Sequence, residues 1–175
     1  MAGTDTPANL TGTLKCAATV NTVGAHTITC GGQTSNNYAV TFVNGVATVV
    51  FANLGVCTAG PGHQILAPIA TDGSTVFTKA TTPSIPVTFR VCDANGAAVN
   101  GNVVTSLTLL QSITGGVTTT PNQKQNVAFA FSAATQSTQA TLLTNTPTNL
   151  TAGTTYVYQI KLIDNSLINF QFSMS

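Results

Sequence analysis

Short runs in which apolar and polar residues alternate recur along the chain, with turn residues between them. A period of two places successive side chains on opposite faces of an extended strand. No segment of helical length keeps a 3.6-residue apolar period, so the pattern predicts an all-β protein. Residues 38–43 (Tyr-Ala-Val-Thr-Phe-Val) and 46–51 (Val-Ala-Thr-Val-Val-Phe) flank Asn44-Gly45, which predicts a hairpin with a two-residue turn. In that register Tyr38, Val40 and Phe42 would face Phe51, Val49 and Ala47, with Thr41 and Thr48 on the other side.

Between residues 53 and 84 the alternation fades and turn residues accumulate (Gly60-Pro61-Gly62, Pro68, Asp72-Gly73, Pro83), with only Thr75-Val76-Phe77 strand-like. This predicts a module boundary. Beyond it Ile85, Val87, Phe89 and Val91 alternate with Pro86, Thr88, Arg90 and Cys92, and the run stops at Asp93-Ala94-Asn95-Gly96, a turn. Pro86 lacks an N–H for a ladder, which predicts an edge at that end. Strands are expected over 103–113 and 127–131, separated by a polar loop carrying Gly115-Gly116 and Pro121. A closing hairpin sets Tyr156, Tyr158, Ile160 and Leu162 on the same core as Ile168, Phe170, Phe172 and Met174, with Asp164-Asn165-Ser166 at the turn.

Composition sharpens this reading. Only 5% of the 175 residues are charged (five Lys and Arg, four Asp, no Glu), while 43% are hydrophobic and threonine is the commonest residue. Ordinary domains carry roughly a quarter charged residues, so hydroxyls and amides must keep this surface wet. A net charge of +1 offers no basic stripe for nucleic acid and no polybasic cluster for an anionic membrane. No uninterrupted apolar run of about 18 residues is present to insert in a bilayer. Residues 1–7 lack a charged segment followed by an apolar one. Paired cysteines favour export, so a secreted or cell-surface protein is expected, its export signal not part of this sequence.

The segment 65–175 resembles the PxKF domain, a bacterial extracellular Ig-like module. The resemblance is carried by Gly62-His63-Gln64-Ile65-Leu66-Ala67-Pro68-Ile69, by Asp72-Gly73-Ser74-Thr75-Val76-Phe77, and by the signature strand from Ile85-Pro86-Val87-Thr88-Phe89 to Gly96. It continues in residues 152–162 and in Ile168-Asn169-Phe170-Gln171-Phe172. The name-giving lysine is Thr88 here, and the tryptophan expected just before Ala140-Thr141-Leu142-Leu143 is missing. Residues 10–51 look like the later part of an MBG-type bacterial Ig-like repeat, through Gly12-Thr13-Leu14-Lys15-Cys16, Thr27-Ile28-Thr29-Cys30 and Tyr38 to Gly45. The resemblances imply an N-terminal arm (1–9), a partial Ig-like module (10–56) and a PxKF-like β-sandwich (57–175). The expected fold is thus two immunoglobulin-like antiparallel β-sandwich modules, the first abbreviated.

Cys16 and Cys30 flank a short Gly-containing excursion, and Cys57 and Cys92 flank the glycine- and proline-rich stretch and the signature strand. Four cysteines allow three connectivities, and this layout favours Cys16–Cys30 with Cys57–Cys92. A metal site using His26 with Cys30, or Cys57 with His63, lacks the usual Cys-x-x-Cys or His-x-x-x-His spacing, so no metal or other cofactor is expected. The weak calcium candidates are Asp72, Asp93 and Asn95, whose oxygens sit in turns. The acids Asp5, Asp72, Asp93 and Asp164 fall in a tail or in turns, where Asp bonds the backbone. Without Glu, a paired carboxylate or a nucleophile elbow, no enzyme is expected. Two sequons, Asn9-Leu10-Thr11 and Asn149-Leu150-Thr151, are ascribed to the abundance of Asn and Thr. Lys15, Lys79 and Lys161 are the lysines singled out for an internal crosslink to Asn or Asp, with nothing to choose among them.

The expected function is that of a non-enzymatic extracellular structural protein. It would be a surface stalk or adhesin module, or a subunit of a self-assembling fibre built by β-strand addition. Its partners would be other copies of itself or adjacent Ig-like modules. The alternative is a module that binds glycan or another surface polymer, against which stand the absence of Trp and the expected burial of most Tyr and Phe rings.

Overall fold

The computed structural model describes residues 6, 9–20, 22–51, 55–145 and 149–175. The described chain is all-β, with several mostly antiparallel sheets and no α-helix. It forms two compact units, Met1–Val50 and Phe51–Ser175. The proposed N-terminal arm lies almost wholly outside the described residues.

The first unit is a three-stranded sheet in which β2 (Gly24–Gly31) lies between β1 (Lys15–Ala17) and β3 (Gly45–Val49). Thr11 and Thr34 add a bridge beside it, and their hydroxyls lie 2.8 Å apart. A close approach of main chains explains two glycines. A Cβ on Gly12 would strike the carbonyl of Gly32, and one on Gly32 that of Thr13, and both residues hold φ near +90°, where other residues are strained.

The hairpin expected across Asn44-Gly45 does not form. Gly45 lies inside β3 and pairs with Ile28, and the register runs on through Thr27–Val46, His26–Ala47 and Ala25–Thr48 to Gly24–Val49. A type I′ turn needs positive φ at both central residues, and neither Asn44 nor Gly45 has it. Residues 38–43 are not a strand, and β3 pairs instead with five residues of the eight-residue β2. Tertiary pairing thus overrides the strongest local turn signal. No described residue of this unit is buried; its inward positions, such as Ile28, Ala47 and Val49, are only half-covered.

The described residues of the second unit form twelve strands: β4 (Val56–Cys57), β5 (Gly60–Pro61), β6 (Ile65–Leu66), β7 (Val76–Phe77), β8 (Ser84–Phe89), β9 (Val104–Thr114), β10 (Val117–Thr119), β11 (Gln123–Gln125), β12 (Ala130–Ser132), β13 (Ser137–Leu143), β14 (Thr154–Leu162) and β15 (Leu167–Met174). One sheet has the order β12-β13-β8-β6. A second runs β9-β14-β15-β7, with β10 and β11 pairing in succession along the outer side of β9, and β4 and β5 form a separate two-stranded sheet. The β7–β15 pairing is parallel, and the other ladders are antiparallel. The chain thus joins one sheet at β6 and crosses to the other at β7 before returning at β8.

Each sheet buries one face, and the period of two shows which. Ile85, Val87 and Phe89 of β8 and Ala140 and Leu142 of β13 are buried, as are Leu107 and Leu109 of β9. On the closing hairpin Tyr156, Tyr158, Ile160, Leu162, Ile168, Phe170, Phe172 and Met174 are all 5% exposed or less, the face the alternation predicts. Full burial of such side chains contributes about 1.5–3 kcal/mol each. At the turn Asn165 takes φ 69°, and Asp164 Oδ1 accepts from the Ser166 amide and hydroxyl at 2.9 and 2.6 Å.

The stretch expected as a boundary, 53–84, is largely folded into this unit. Cys57 and Ile65 are buried there on strands of only two residues, too short to show a period, and Ile69 is buried in the turn after β6. The polar loop expected after residue 113 likewise contributes β10 and β11. The strand expected over 127–131 begins only at Ala130; Val127 and Phe129 precede it half-buried, and Phe129 packs edge-on to Phe89 at 5.8 Å. Pro86 does stand at an open side of its strand, because β6 pairs only with Thr88 and Phe89.

Candidate functional site

All four thiols are in disulfides. Cys16 and Cys30 are direct register partners across β1 and β2, with Cα atoms 4.0 Å apart, and Cys57 is bonded to Cys92 just beyond β8. Cys30 and Cys57, the cysteines weighed beside His26 and His63 as metal ligands, are thus each bonded to another cysteine. His26 Nε2 lies 2.6 Å from the Thr22 carbonyl oxygen, and the His63 amide donates to the Arg90 carbonyl at 2.7 Å.

Each described carboxylate faces its own turn. Asp72 Oδ1 accepts from the Ser74 hydroxyl (2.6 Å) and amide (2.9 Å), bonds that hold its carboxyl below the usual range. Asp93 Oδ1 accepts from the amides of Asn95 and Ala97, both at 2.9 Å, within a turn closed by Gly96 at φ 81°. Asp164 Oδ2 accepts from the Phe51 amide at 3.0 Å. Burial pushes its carboxyl up, but the bonds from Ser166 and Phe51 outweigh this and hold it low. Among the described residues no three His, Cys, Asp or Glu side chains converge, and Asp93 and Asn95 share one turn. Asp5 lies outside the described residues.

Three polar side chains tie the loops down. Arg90, 7% exposed, donates from Nε to the Gln136 carbonyl (2.7 Å), from Nη1 to that of Pro61 (2.9 Å) and from Nη2 to that of Thr135 (2.9 Å). One guanidinium thus joins β5 and the β12–β13 turn to the end of β8. Lys79 Nζ donates to the Thr144 carbonyl and to Asn145 Oδ1, both at 2.7 Å, while Lys15 and Lys161 lie on strands β1 and β14. Tyr156, at the start of β14, accepts the Thr151 amide on its hydroxyl at 2.7 Å. The sequence does carry a signal for Arg90: it is the only arginine, directly after the buried Phe89.

Two surfaces remain. On the outward face of the larger sheet, register aligns Asn169, Gln159, Thr108 and Lys124 in one row across four strands, and Gln159 Nε2 donates to Asn169 Oδ1 at 3.0 Å. In the first unit β3 has, among the described residues, a ladder partner on one side only, β2. Val43, Val46 and Val50, in and beside this strand, are 85%, 70% and 58% exposed.

Compared with known proteins, residues 1–48 match a family model described as the MBG domain (YGX type). Domains of this type are typical of extracellular bacterial proteins and suggest a repeat module. No curated protein and no solved structure matches the chain.

Proposed function

We propose that the chain is a non-enzymatic structural protein of the bacterial cell exterior, built from an abbreviated Ig-like module and a complete one, and that it works by associating through sheet edges. The observation that carries this reading is where the polar chemistry of the second unit goes. Asp72, Asp93 and Asp164 each bond the backbone of their own turn, and Arg90 gives its guanidinium to three main-chain carbonyls. These groups hold loops in place, which suits a spacer or stalk.

The strand order of the second unit supports an Ig-like sandwich. The order β6-β8-β13-β12 corresponds to A, B, E and D of that fold, and β11-β9-β14-β15 to C′, C, F and G, with β7 as the second half of a divided first strand. Tyr156 supports it further, since a tyrosine near the start of strand F that bonds the backbone a few residues upstream is a hallmark of such sandwiches. In the same reading residues 65–175 are a PxKF-type module. The MBG-type match and the two disulfides support a place outside the cytoplasm.

The row Asn169, Gln159, Thr108 and Lys124 favours a second reading, a face that hydrogen-bonds sugar hydroxyls. Sedimentation velocity and electron microscopy of the purified chain, beside a glycan array, separate the two. Concentration-dependent oligomers with an empty array are expected. A monomer at every concentration that binds a defined polysaccharide would replace the structural reading with the binding one.

A further inference from the structure

We propose that the free side of β3 is an association edge and that its occupant is β3 of a second copy, paired antiparallel about Ala47. This rests on the structural reading above and names the edge and the partner.

A strand at the end of a sheet leaves a row of N–H and C=O groups without ladder partners, and native proteins guard such rows with short strands, lysine or proline. Most of the described edges follow that rule; the sides of β13 over residues 140–143 and of β15 over residues 167–172, which β12 and β7 do not reach, lack charge and proline as β3 does, but each carries a single exposed leucine where β3 has three exposed valines in or beside it. Strands β6 and β7 have two residues each, and β12 has three. β11 carries Lys124 and β1 carries Lys15, each in three residues, while β10 has three. The uncovered part of β8 carries Pro86, and β5 carries Pro61. β3 has five residues, Gly-Val-Ala-Thr-Val, without charge or proline, and three exposed valines in or beside it.

The sequence of β3 is also its own complement. Turned antiparallel on itself about Ala47, it sets Val46 opposite Thr48 twice on the outward face. On the other face Gly45 meets Val49 twice, and Ala47 meets Ala47. Cross-strand β-branched pairs are favourable, and no like charges meet. The small residues Gly45 and Ala47 leave room where the two copies approach most closely. Such a contact is isologous and closes at a dimer, with the two three-stranded sheets joined into one of six strands. An edge this short buries less than a standard interface, so the dimer is weak and depends on concentration.

The test is sedimentation equilibrium of the full chain from about 1 µM to about 1 mM, the range in which a small interface dissociates. The wild type is expected to pass from monomer to dimer. Val46→Lys with Thr48→Lys places introduced lysines directly opposite one another twice, and is expected to weaken the dimer by roughly tenfold or more. Val46→Lys with Thr48→Glu places opposite charges there instead and is expected to stay within about threefold of the wild type. Val46 and Thr48 are exposed, so both variants should keep the wild-type circular dichroism. Should the double-lysine variant not fold, Thr48→Lys alone weakens the dimer in the same direction. A wild-type dimer untouched by the lysines would place association at another edge, overturning this proposal but not the structural reading. A lysine–glutamate variant as weak as the double-lysine one would overturn the register. A wild type that stays monomeric throughout would overturn both.

Discussion

Tyr156 and Tyr158 stand two residues apart on the buried face of β14, and the same change, Tyr→Phe, is expected to move stability in opposite directions at the two. The Tyr158 ring is fully buried and stacks on Phe170 (5.4 Å, 13° between planes) and Phe172 (5.7 Å, 14°), yet its hydroxyl has no hydrogen-bond partner among the described residues. A buried hydroxyl without a partner costs about 1–3 kcal/mol. Removing one oxygen leaves a void worth only a few tenths of a kcal/mol, so Tyr158→Phe should stabilise by about 1 kcal/mol. The Tyr156 hydroxyl accepts the Thr151 amide at 2.7 Å and lies 3.2 Å from the Thr151 hydroxyl. Tyr156→Phe orphans that amide and should cost about 1–3 kcal/mol, for a spread of roughly 2–4 kcal/mol between the two variants.

Urea unfolding followed by tyrosine emission reports on this unit, which holds two of the three tyrosines in a chain without tryptophan. The midpoints should move apart with the slope unchanged. Burial, and then the neighbouring Tyr156, pushes the Tyr158 hydroxyl well above the ordinary tyrosine range. A group raised on folding contributes stability below its unfolded pKa, about 10, that is lost as pH rises past it. Tyr158→Phe should therefore also flatten the loss of stability above about pH 10. A Tyr158→Phe midpoint that falls as far as that of Tyr156→Phe would refute the reasoning, since the Tyr158 hydroxyl would then have a partner.

Arg90→Lys is expected to lose about 2–4 kcal/mol, because one ammonium cannot reproduce a planar fork reaching three carbonyls on two segments; calorimetry checks this, and an unchanged melting temperature would contradict it. Replacing Cys57 and Cys92 together by Ala opens a loop closed over a separation of 35 residues and should cost about 4 kcal/mol by the chain-entropy model, read as a shift in the urea midpoint of the second unit. Asp164 is held low by Ser166 and Phe51, so its contribution is present above its unfolded pKa, about 3.9, and fades as pH falls through the lower folded value. Asp164→Asn should destabilise by about 1 kcal/mol at pH 7 and by less below about pH 3, and thermal melts across that range would show whether the difference closes.

The closing hairpin was legible because alternation, turn chemistry and burial agree there: eight apolar positions on one face, and Asp164-Asn165-Ser166 between them. The same kind of signal misled at Asn44-Gly45. A local pattern states what a segment can pair with next in sequence, and β3 paired instead with β2 from nearly twenty residues upstream. The small strands β4 to β7 were hidden for a different reason. Two residues cannot display a period, and Ile65 and Ile69 are buried by their neighbours in space, among turn residues that read as a linker. Arg90 sits where alternation implies a wet side chain, and only the convergence of the Pro61, Thr135 and Gln136 carbonyls makes it an interior residue.

The two units use similar residues to different ends, and this bears on function. Both alternate β-branched and small side chains, but the second unit turns its apolar face against a second sheet's worth of strands, so that Ile85, Val87, Phe89 and Ile160 are all fully buried. The first has three strands and no buried residue among those described. Apolar surface left in water is unfavourable in proportion to its area, and a three-stranded sheet with one face packed is near the minimum for independent stability. One edge of this sheet is pinned by Cys16–Cys30 and guarded by Lys15. The other, β3, is longer and unguarded. In a chain with so few charges, a five-residue edge with neither lysine nor proline and with three exposed valines in or beside it is the edge that the proposed dimer uses.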